Sequence, residues 1–224
     1  EITQHERSQK EVHRLSRLAE IGRMTAAIAH EFRNPLTGIR SAAQMIQTSP
    51  EYSKDFGQII EEEVIKLNSL CTEFLEFARP MALERDEVVL SETAKRVADL
   101  LYDDFVKKGV SLVIRCEAME SPVFADQRRI EQVLHNLLRN SLEATGHGGE
   151  VSVSVKGRGF EVRDSGCGLS PDAQEKLFSP FFTTKPQGTG LGLSTVRKII
   201  EAHGGSISAE SQEGVGTAFV VLFK

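Results

Sequence analysis

The feature that most constrains this chain is a long seam of small and apolar residues near its amino terminus. The members recur with alternating steps of four and three, and they are Leu15, Leu18, Gly22, Thr25, Ala29, Phe32, Leu36, Ile39, Ala43 and Ile46. This spacing is typical of a helix that packs in a coiled coil or a bundle. A second line through Ile21, Ile28 and Ala42 widens the stripe, which favours a bundle with more than one neighbour.

A second helix with a similar seam follows after a short turn. Ser49 and Pro50 supply a helix cap and a first-turn proline, and the pattern ends at Arg79-Pro80. The seam of this second helix consists of Ile60, Val64, Leu67, Cys71, Phe74 and Ala78. A hairpin of two antiparallel helices cannot bury both seams alone, so residues 1–80 are predicted to form a homodimeric four-helix bundle.

His30 lies one step off the first seam, at its solvent edge. Asn34 follows four residues later and Thr37 seven, so the three side chains project from one helix face. Pro35 predicts a bend just past the histidine. A lone histidine on a helix is more often a solvated side chain than a functional one, and this segment alone favours that interpretation.

Beyond residue 80 the pattern changes to mixed helices and strands. Residues 81–87 are predicted to be a linker, and 88–224 an α/β sandwich whose sheet is covered by helices on one face. Predicted helices cover 91–108, capped by Ser91, 126–144, capped by Asp126, and 191–203. Predicted strands cover 87–90, 110–116, 123–125, 150–156, 159–163, 206–211 and 216–223. Residues 165–189 are rich in Gly, Pro, Ser and Thr and are predicted to form a functional loop.

Two segments of this second half carry polar residues that packing does not require. Asn136 and Asn140 lie four apart on one helix face, and paired amide oxygens can hold magnesium together with phosphates. Asp164 directly follows a strand, where its carboxylate can accept a hydrogen bond from an exocyclic amine. Each segment alone also has an ordinary explanation, as solvated asparagines or as an Asp-Gly turn.

Two glycine-containing turns follow. Gly188, Gly190 and Gly192 lead into a helix and permit backbone amides to approach a phosphate at its amino terminus. The turn is not a Walker motif, because GxxxxGK[ST] is absent. Residues 214–217 begin the last strand and leave room for a flat ring that the Thr217 hydroxyl can bond.

In this order and spacing, these segments resemble the sequence boxes of the sensor histidine kinases of two-component systems. The matches are 30–36 for the H box, 136–140 for N, 164–168 for G1, 177–182 for F, 188–193 for G2 and 214–217 for G3. The ordered set is far more specific than any one motif, and it covers nearly the whole chain. It implies a dimerisation and phosphotransfer hairpin followed by a Bergerat-type ATP-binding domain, the fold of gyrase, a heat-shock chaperone and MutL-type ATPases.

The resemblance also implies a chemistry for the first helix. His30 would attack the γ-phosphorus of Mg-ATP, with Glu31 as the general base, and would pass the phosphoryl group to an aspartate of a response regulator. Asn34 would orient the water that dephosphorylates that regulator.

In the second domain the resemblance implies that Asn140 and Asn136 hold magnesium and that Asp164 receives the adenine amino group. The other expected nucleotide contacts are Gly166, Gly168, Lys185, Gly188, Gly190, Leu191, Gly192 and Thr217, under a mobile lid of roughly residues 169–189. One departure is Glu143, at a position where many relatives carry a basic residue. The charge partner of the phosphates would then be Lys185 or an arginine.

Two functions of other classes stay open: a Bergerat-type ATPase that drives a clamp, and a catalytically silent scaffold or pure phosphatase. The formal net charge of −5 gives no basic excess for nucleic acid. Three widely spaced cysteines without a CxxC motif indicate a reducing compartment and argue against a zinc site. No apolar run reaches about 18 residues, so we expect a cytoplasmic portion, tied to a membrane only through a missing upstream sensor.

Overall fold

The structure is a computed structural model that describes residues 28–78, 81–185 and 188–224, together with Gly22. The chain divides into two compact units. The helical unit comprises Glu1–Pro80 and Lys185–Leu191, and the sheet unit comprises Met81–Thr184 and Gly192–Lys224. None of the helices in the described ranges is long and apolar enough to span a membrane.

The helical unit contains the predicted hairpin. Helix α1 covers residues 28–48, a 3₁₀ turn covers Pro50–Tyr52, and helix α2 covers Ser53–Ala78. The helices approach closely at Gly38, where an added Cβ atom would lie 3.2 Å from Cγ of Glu63. Helical structure runs through Pro35, and the predicted bend there stays a prediction. The predicted end at Arg79-Pro80 and the seam residues before Ile28, apart from Gly22, lie outside the described residues.

Most apolar side chains of this hairpin are not buried within one chain. Among the described residues of α1 and α2, the buried hydrophobic ones are Ala42, Leu70 and Phe77. Large apolar side chains remain exposed on both helices, namely Leu36, Met45, Ile59, Val64, Ile65 and Leu75. Of these six side chains, Leu36 and Val64 belong to the predicted seams, and the other four extend the exposed apolar surface beyond them.

The sheet unit contains seven strands and four helices. In chain order these are β1 (Asp86–Val88), α3 (Leu90–Lys108), β2 (Ser111–Glu120), β3 (Val123–Ala125), α4 (Gln127–Ala144), β4 (Glu150–Gly157), β5 (Gly159–Asp164), α5 (Pro171–Lys176), α6 (Gly192–Ala202), β6 (Ser206–Gln212) and β7 (Gly216–Leu222). Five strands form one sheet in the order β2-β4-β5-β7-β6, in which only β2 and β4 are parallel. Strands β1 and β3 form a separate antiparallel pair.

One face of the large sheet packs against helices, as predicted. Val151, Val153 and Val155 alternate inward along β4 into a core that also contains apolar residues of α3, α4 and α6. The intervening Ser154 is partly exposed and Lys156 is exposed. This alternation identifies a single core on one side of the sheet, the arrangement of an α/β sandwich.

Of the two helix caps predicted in the sheet unit, one was confirmed and the other was wrong. Asp126 caps α4 as predicted, because its carboxylate accepts a hydrogen bond from the backbone N–H of Arg129 at 3.2 Å. The prediction of Ser91 as the cap of α3 was wrong. The helix begins one residue earlier, with Val89 at the cap position and no side-chain cap bond. Leu90 is fully buried, so packing outweighs the capping preference of serine.

Strand and loop boundaries also moved. Strand β1 begins inside the segment that was predicted as a linker, and Leu90, predicted as strand, opens α3. Strand β2 extends beyond its predicted end to Glu120. Helix α5 lies within the segment that was predicted as a loop, and Ser170 caps it through a bond from the Ala173 N–H.

Candidate phosphotransfer and nucleotide sites

The first candidate site is the exposed face of α1 around His30. The side chain of His30 is 71% exposed, and its Nδ1 lies 3.5 Å from Nδ2 of Asn34 and 3.9 Å from Oε1 of Glu31. Thr37, which was predicted to share this face, donates its hydroxyl hydrogen bond to the carbonyl of Arg33. The structure therefore brings the three predicted catalytic residues together, with Nε2 on the opposite edge of the imidazole ring.

The second candidate site begins on α4. This helix buries one apolar face, formed by Ile130, Val133, Leu134, Leu137 and Leu138. Asn136 and Asn140 lie one turn apart on the other side of the helix, and both are partly exposed. Their amide oxygens are hard ligands that suit a magnesium ion bound together with phosphates. The described residues contain no group of three His, Cys, Asp or Glu side chains that could hold a metal.

Glu143, which stands where many relatives carry a basic residue, forms an ion pair within α4. Oε1 of Glu143 accepts a hydrogen bond from Nε of Arg139 at 3.2 Å, one turn back on α4. Lys108, at the end of α3, donates to the backbone carbonyls of Leu142 and Glu143 and so caps the end of α4. The acidic side chain is thus ion-paired with an arginine that lies next to Asn140 in sequence.

Asp164 is buried at the end of β5 and is held there by backbone amides. Its Oδ1 accepts hydrogen bonds from the N–H groups of Gly166, at 2.9 Å, and Thr217, at 3.2 Å. The second bond crosses from β5 to β7, whose register pairs Arg163 with Ala218. Two donors on one oxygen fix the carboxylate in place, so Asp164 can present an oriented acceptor to a ligand.

Glycine is required at two positions in the loop that follows Asp164. A Cβ atom on Gly166 would lie 2.6 Å from the carbonyl oxygen of Ala144 and 2.9 Å from Oδ1 of Asp164. Gly168 has a φ of 66°, and a Cβ atom there would overlap the carbonyl of Gln212. The predicted G1 residues are therefore packed tightly against α4 and against the turn between β6 and β7.

Thr217 lies at the start of β7, buried beside Asp164. Its Oγ1 is 2.9 Å from Oγ of Ser211, which also donates to the carbonyl of Gly216 and accepts from the N–H of Leu169. Val162 on β5 and Phe219 on β7 are paired, and both side chains point into the core. Asp164 and Thr217 lie two residues further along the same strands, so their side chains point to the same face of the sheet. The structure thus places the predicted adenine residues on the helix-covered face of the sheet.

Helix α6 begins at Gly192, a predicted phosphate contact. A Cβ atom on Gly192 would meet no heavy atom within 4 Å, so packing alone does not require glycine at this position. Open space beside the first residue of a helix leaves room for a phosphate to approach the backbone N–H groups. The site therefore fits an adenine nucleotide at Asp164, at the asparagines of α4 and at the start of α6.

The residues that open this helix are preceded by a segment that groups with the helical unit. Lys185, Gly188, Gly190 and Leu191 belong to this segment. In it the Thr189 hydroxyl donates to the carboxylate of Glu73, and the N–H of Leu191 donates to Thr189 Oγ1. Gly190 has a φ of 69°, and Leu191 is fully buried. The predicted phosphate loop is thus divided between the two units.

The segment matched to the F box lies in the sheet unit. Phe181 has a φ of 63°, and it is the only non-glycine residue with positive φ in the described parts of the chain. The guanidinium of Arg197 on α6 lies 5.9 Å from the ring centroid of Phe178. A residue with a strained backbone conformation is typical of functional loops.

The helices that carry the nucleotide residues are joined at their far ends by a buried network. Nε2 of His203, which follows α6, accepts a hydrogen bond from the N–H of Asp126, at the start of α4. Asp126 Oδ2 accepts from the N–H of Glu84, and Arg85 donates to the carbonyl of Ala202. The segment that precedes β1 is thus hydrogen-bonded to the start of α4 and to the end of α6.

Both buried ionisable groups in this network have shifted pKa values. Burial alone would raise the pKa of Asp126, but hydrogen bonds from the N–H groups of Glu84, Arg129 and Arg128 outweigh it and lower the pKa. Burial, helped by the charge of Arg85, lowers the pKa of His203. Nδ1 of His203 lies 2.8 Å from the carbonyl of Ile199. The neutral ring with a proton on Nδ1 satisfies both of its nitrogens.

A cavity of about 450 Å³ opens on the sheet unit beside the end of β5. Asp164 and Gly216 are in its lining, together with Ser152, Arg163 and Glu210. The last three side chains alternate with the inward residues of their strands, so the cavity extends onto the face of the sheet away from the helices. It therefore adjoins the candidate site at Asp164 rather than lying apart from it.

Comparison with known proteins finds a family match for each half of the chain. A family model described as the His Kinase A (phospho-acceptor) domain matches residues 20–83. A model described as histidine kinase-, DNA gyrase B-, and HSP90-like ATPase matches residues 125–224. The solved structure of histidine kinase ThkA in complex with response regulator protein TrrA is 35% identical, with a TM-score of 0.83 over 100% of this chain and 67% of that one. The chain belongs to the sensor histidine kinases of two-component systems.

Two further relatives support this family membership. Signal transduction histidine-protein kinase AtoS of Escherichia coli is 33% identical over 99% of this chain and 38% of its own length. Full-length ShkA in complex with AMPPNP is 27% identical, with a TM-score of 0.67 over 88% of this chain and 44% of that one. The chain spans about a third to a half of the length of the curated histidine kinases that it matches.

Sequence reasoning missed several residues of this histidine kinase site. Ser211 supports Thr217, and Ser165 accepts from the N–H of Glu150 to hold the end of β5. Their roles depend on pairing between strands distant in sequence, for which no local pattern exists. Helix α5 did have a local signal, since Ser170, Pro171 and Asp172 form a cap, a first-turn proline and an acidic first turn.

Proposed function

We propose that the chain is an ATP-dependent protein histidine kinase that phosphorylates itself on His30 and then phosphorylates a response regulator. The observation that carries this proposal is the cluster of His30, Glu31 and Asn34 on an exposed helix face, in a chain that also contains the Asp164 site. Nδ1 faces Asn34 and Glu31, so Nε2 on the opposite ring edge is the nucleophile. A new bond forms between Nε2 and the γ-phosphorus, the bond from that phosphorus to the β–γ bridging oxygen breaks, and ADP leaves.

Glu31 serves as the general base in this reaction. Its carboxylate lies 3.9 Å from Nδ1 and can orient the ring or take its proton as positive charge develops. The phosphorylated histidine then transfers its phosphoryl group to an aspartate of a receiver domain. Asn34 orients a water molecule for the opposite reaction, the dephosphorylation of the regulator. ThkA, solved with response regulator TrrA, supports the choice of partner.

The sheet unit supplies the nucleotide. Asp164 accepts the adenine amine, Gly166 and Gly168 let the ring approach the backbone, and Thr217 seats it. Asn140 and Asn136 hold magnesium, which neutralises charge on the phosphates when bound. Gly188, Gly190, Leu191 and Gly192 line the phosphates, and Lys185 contacts the γ-phosphate. AMPPNP, an ATP analogue, is bound in the related ShkA structure.

The active form is a homodimer whose four-helix bundle contains α1 and α2 of two chains. The exposed Leu36 and Val64, one from each predicted seam, support this assembly, since a dimer would bury such seams. We infer that the kinase works in the cytoplasm, where ATP and receiver domains are found, and that an upstream sensor provides any link to a membrane.

The decisive experiment is incubation of the full chain with γ-labelled ATP and magnesium. We expect retained label that is stable in base and labile in acid, and we expect none of it in His30→Gln. Release of labelled phosphate without any label on the wild-type protein would indicate an ATPase and contradict the proposal.

Asn34→Ala provides the matched control on the same helix face. It should still acquire label and transfer it to a receiver domain, but it should lose regulator dephosphorylation. Loss of both transfer and dephosphorylation would contradict the division of roles between His30 and Asn34.

A further inference from the structure

Ser141 carries a hydroxyl whose burial the fold alone does not explain. The residue is 0% exposed, and its Oγ is the one buried side-chain oxygen or nitrogen without a hydrogen-bond partner among the described residues. Its backbone carbonyl accepts from both the N–H and the hydroxyl of Thr145, but the side chain makes no such bond. An unpaired buried hydroxyl destabilises a protein, and alanine forms helices better than serine. For folding alone, alanine would be the better residue here.

The turn that carries Ser141 packs directly against the loop after Asp164. The N–H of Cys167 donates to the carbonyl of Ala144 at 3.2 Å. That carbonyl and Oδ1 of Asp164 both lie within 3 Å of the position of a Cβ atom on Gly166. Ser141 is buried on this last turn of α4, three residues before Ala144, whose carbonyl bonds the loop after Asp164.

The proposed adenine site needs a donor that Asp164 cannot supply. Adenine presents its amino group as a donor and the neighbouring ring nitrogen N1 as an acceptor, whereas an ionised carboxylate only accepts. The backbone donors nearby are already in use: Gly166 and Thr217 donate to Asp164, and Cys167 donates to Ala144. The Ser141 hydroxyl is the buried donor in this region that has no partner.

We propose that Ser141 determines adenine specificity by donating a hydrogen bond to N1, directly or through one water molecule, beside Asp164. This inference rests on the proposed nucleotide site and adds to it a residue from the core of α4. In this arrangement Asp164 accepts a hydrogen bond from the adenine amino group, and Ser141 donates one to N1. The bound base then gives the buried hydroxyl the partner that the protein itself does not provide.

The test compares ADP with 1-deaza-ADP, in which a carbon atom replaces N1. Calorimetric titration of this chain should show 1-deaza-ADP binding about fivefold to tenfold more weakly than ADP, the loss of one hydrogen bond. Ser141→Ala should bind ADP more weakly by a similar factor. It should show no further loss with 1-deaza-ADP, because the same bond is already absent.

Stability without nucleotide gives an independent readout. Removal of an unpaired hydroxyl should raise the melting temperature of Ser141→Ala by about 2–5 °C. The matched control is Ser91→Ala, a buried serine near the start of α3. Ser91 is far from Ser141, because nearby Thr93 bonds to Gln127 at the start of α4. At 1.5 Å per residue, Gln127 lies about 20 Å along this helix from Ser141. This control should keep the wild-type preference for ADP.

The outcomes separate this inference from the proposed function. If Ser141→Ala kept the full preference for ADP over 1-deaza-ADP, the role of Ser141 would be wrong and the kinase proposal would stand. A lower melting temperature in Ser141→Ala would likewise overturn it, because the hydroxyl would then have a partner within the fold. If the wild-type chain bound neither nucleotide, the proposed function itself would fail.

Discussion

The two units differ in how completely each buries its own apolar surface. The sheet unit has a continuous core in which Ile130, Leu134, Leu137 and Val153 are fully buried. In the described part of the hairpin, by contrast, Leu36 is 52% exposed and Leu75 is 67% exposed. One unit has a core of its own, and the other leaves apolar side chains exposed, which the proposed dimer would cover.

The same contrast appears in the chemistry of the two sites. His30, the proposed phosphoryl acceptor, is exposed on a regular helix, where such an acceptor would have to meet both a nucleotide and a second protein. Asp164 is buried, and backbone amides from two segments hold it in place. A phosphoryl acceptor needs access, whereas a base-binding pocket needs fixed groups away from water.

The largest expected effect tests whether the core of the sheet unit is self-sufficient. Leu134→Ala removes a fully buried side chain from α4 and should lower the free energy of unfolding by about 2–5 kcal/mol. Urea denaturation followed by circular dichroism would measure it. Leu222→Ala, on a 54% exposed residue of β7, is the control and should change stability by less than about 0.5 kcal/mol. Equal effects from the two would contradict the burial contrast.

Leu36→Ala tests the other side of the comparison. If the seam of α1 packs in a dimer, this change should cost about 1–2 kcal/mol of dimer stability while leaving the unfolding of the sheet unit unchanged. Analytical ultracentrifugation over a range of protein concentrations would detect the shift toward monomer. A wild-type chain that stays monomeric at all concentrations would contradict the bundle.

A smaller effect on the free energy of unfolding is expected at Asp126, at the start of α4. Asp126→Ala removes the cap of α4 and the acceptor for the N–H of Glu84, and should cost about 1–2 kcal/mol. Asp86→Ala is a suitable control, since this exposed aspartate bonds only the N–H of its neighbour Glu87 in the described contacts. Denaturant titration of both variants would measure the difference, and similar losses would argue against a special role for Asp126.

The elements that sequence predicted well have local signals. Asp126 at the cap and an apolar face of regular spacing determine α4, and the prediction of this helix from 126 to 144 was confirmed closely. The histidine site was predictable for the same reason, because His30, Glu31 and Asn34 lie within about one turn of a single helix. Their proximity follows from helical geometry alone.

The remaining features depend on contacts between distant segments. Asp164 and Thr217 are 53 residues apart, and their hydrogen bond depends on the register of β5 against β7. The start of α3 was missed because burial of Leu90 decides it, and burial is a property of the whole fold. Ser141 resembles any other helical serine in the sequence, and only the packed structure shows that its hydroxyl lacks a partner.

The smallest expected effect concerns pH and again separates the two units. The described ionisable side chains that are buried are Asp126, Asp164 and His203, and all three belong to the sheet unit. Burial lowers the pKa of His203 below its ordinary value of about 6.5. The unfolded chain therefore binds this proton more readily than the folded chain does. The stability contributed by the neutral ring is fully present above about pH 6.5 and is lost as the pH falls toward the lower folded value.

Denaturant titrations of the sheet unit at several pH values between about 5 and 8 would measure this dependence. His203 can contribute a slope of at most about 1.4 kcal/mol for each pH unit, the limit for one proton. Burial also lowers the pKa of His135 on α4, so His203→Gln should reduce the slope and leave the part that His135 contributes. His147→Gln, at an exposed position, should retain the full slope. The lowered pKa of Asp126 contributes stability that is fully present above about pH 4 and is lost only as the pH falls below it, so the two groups act in separate windows. An unchanged slope in His203→Gln would show that the acid sensitivity arises elsewhere, because only a group whose pKa differs between the folded and unfolded states can produce it.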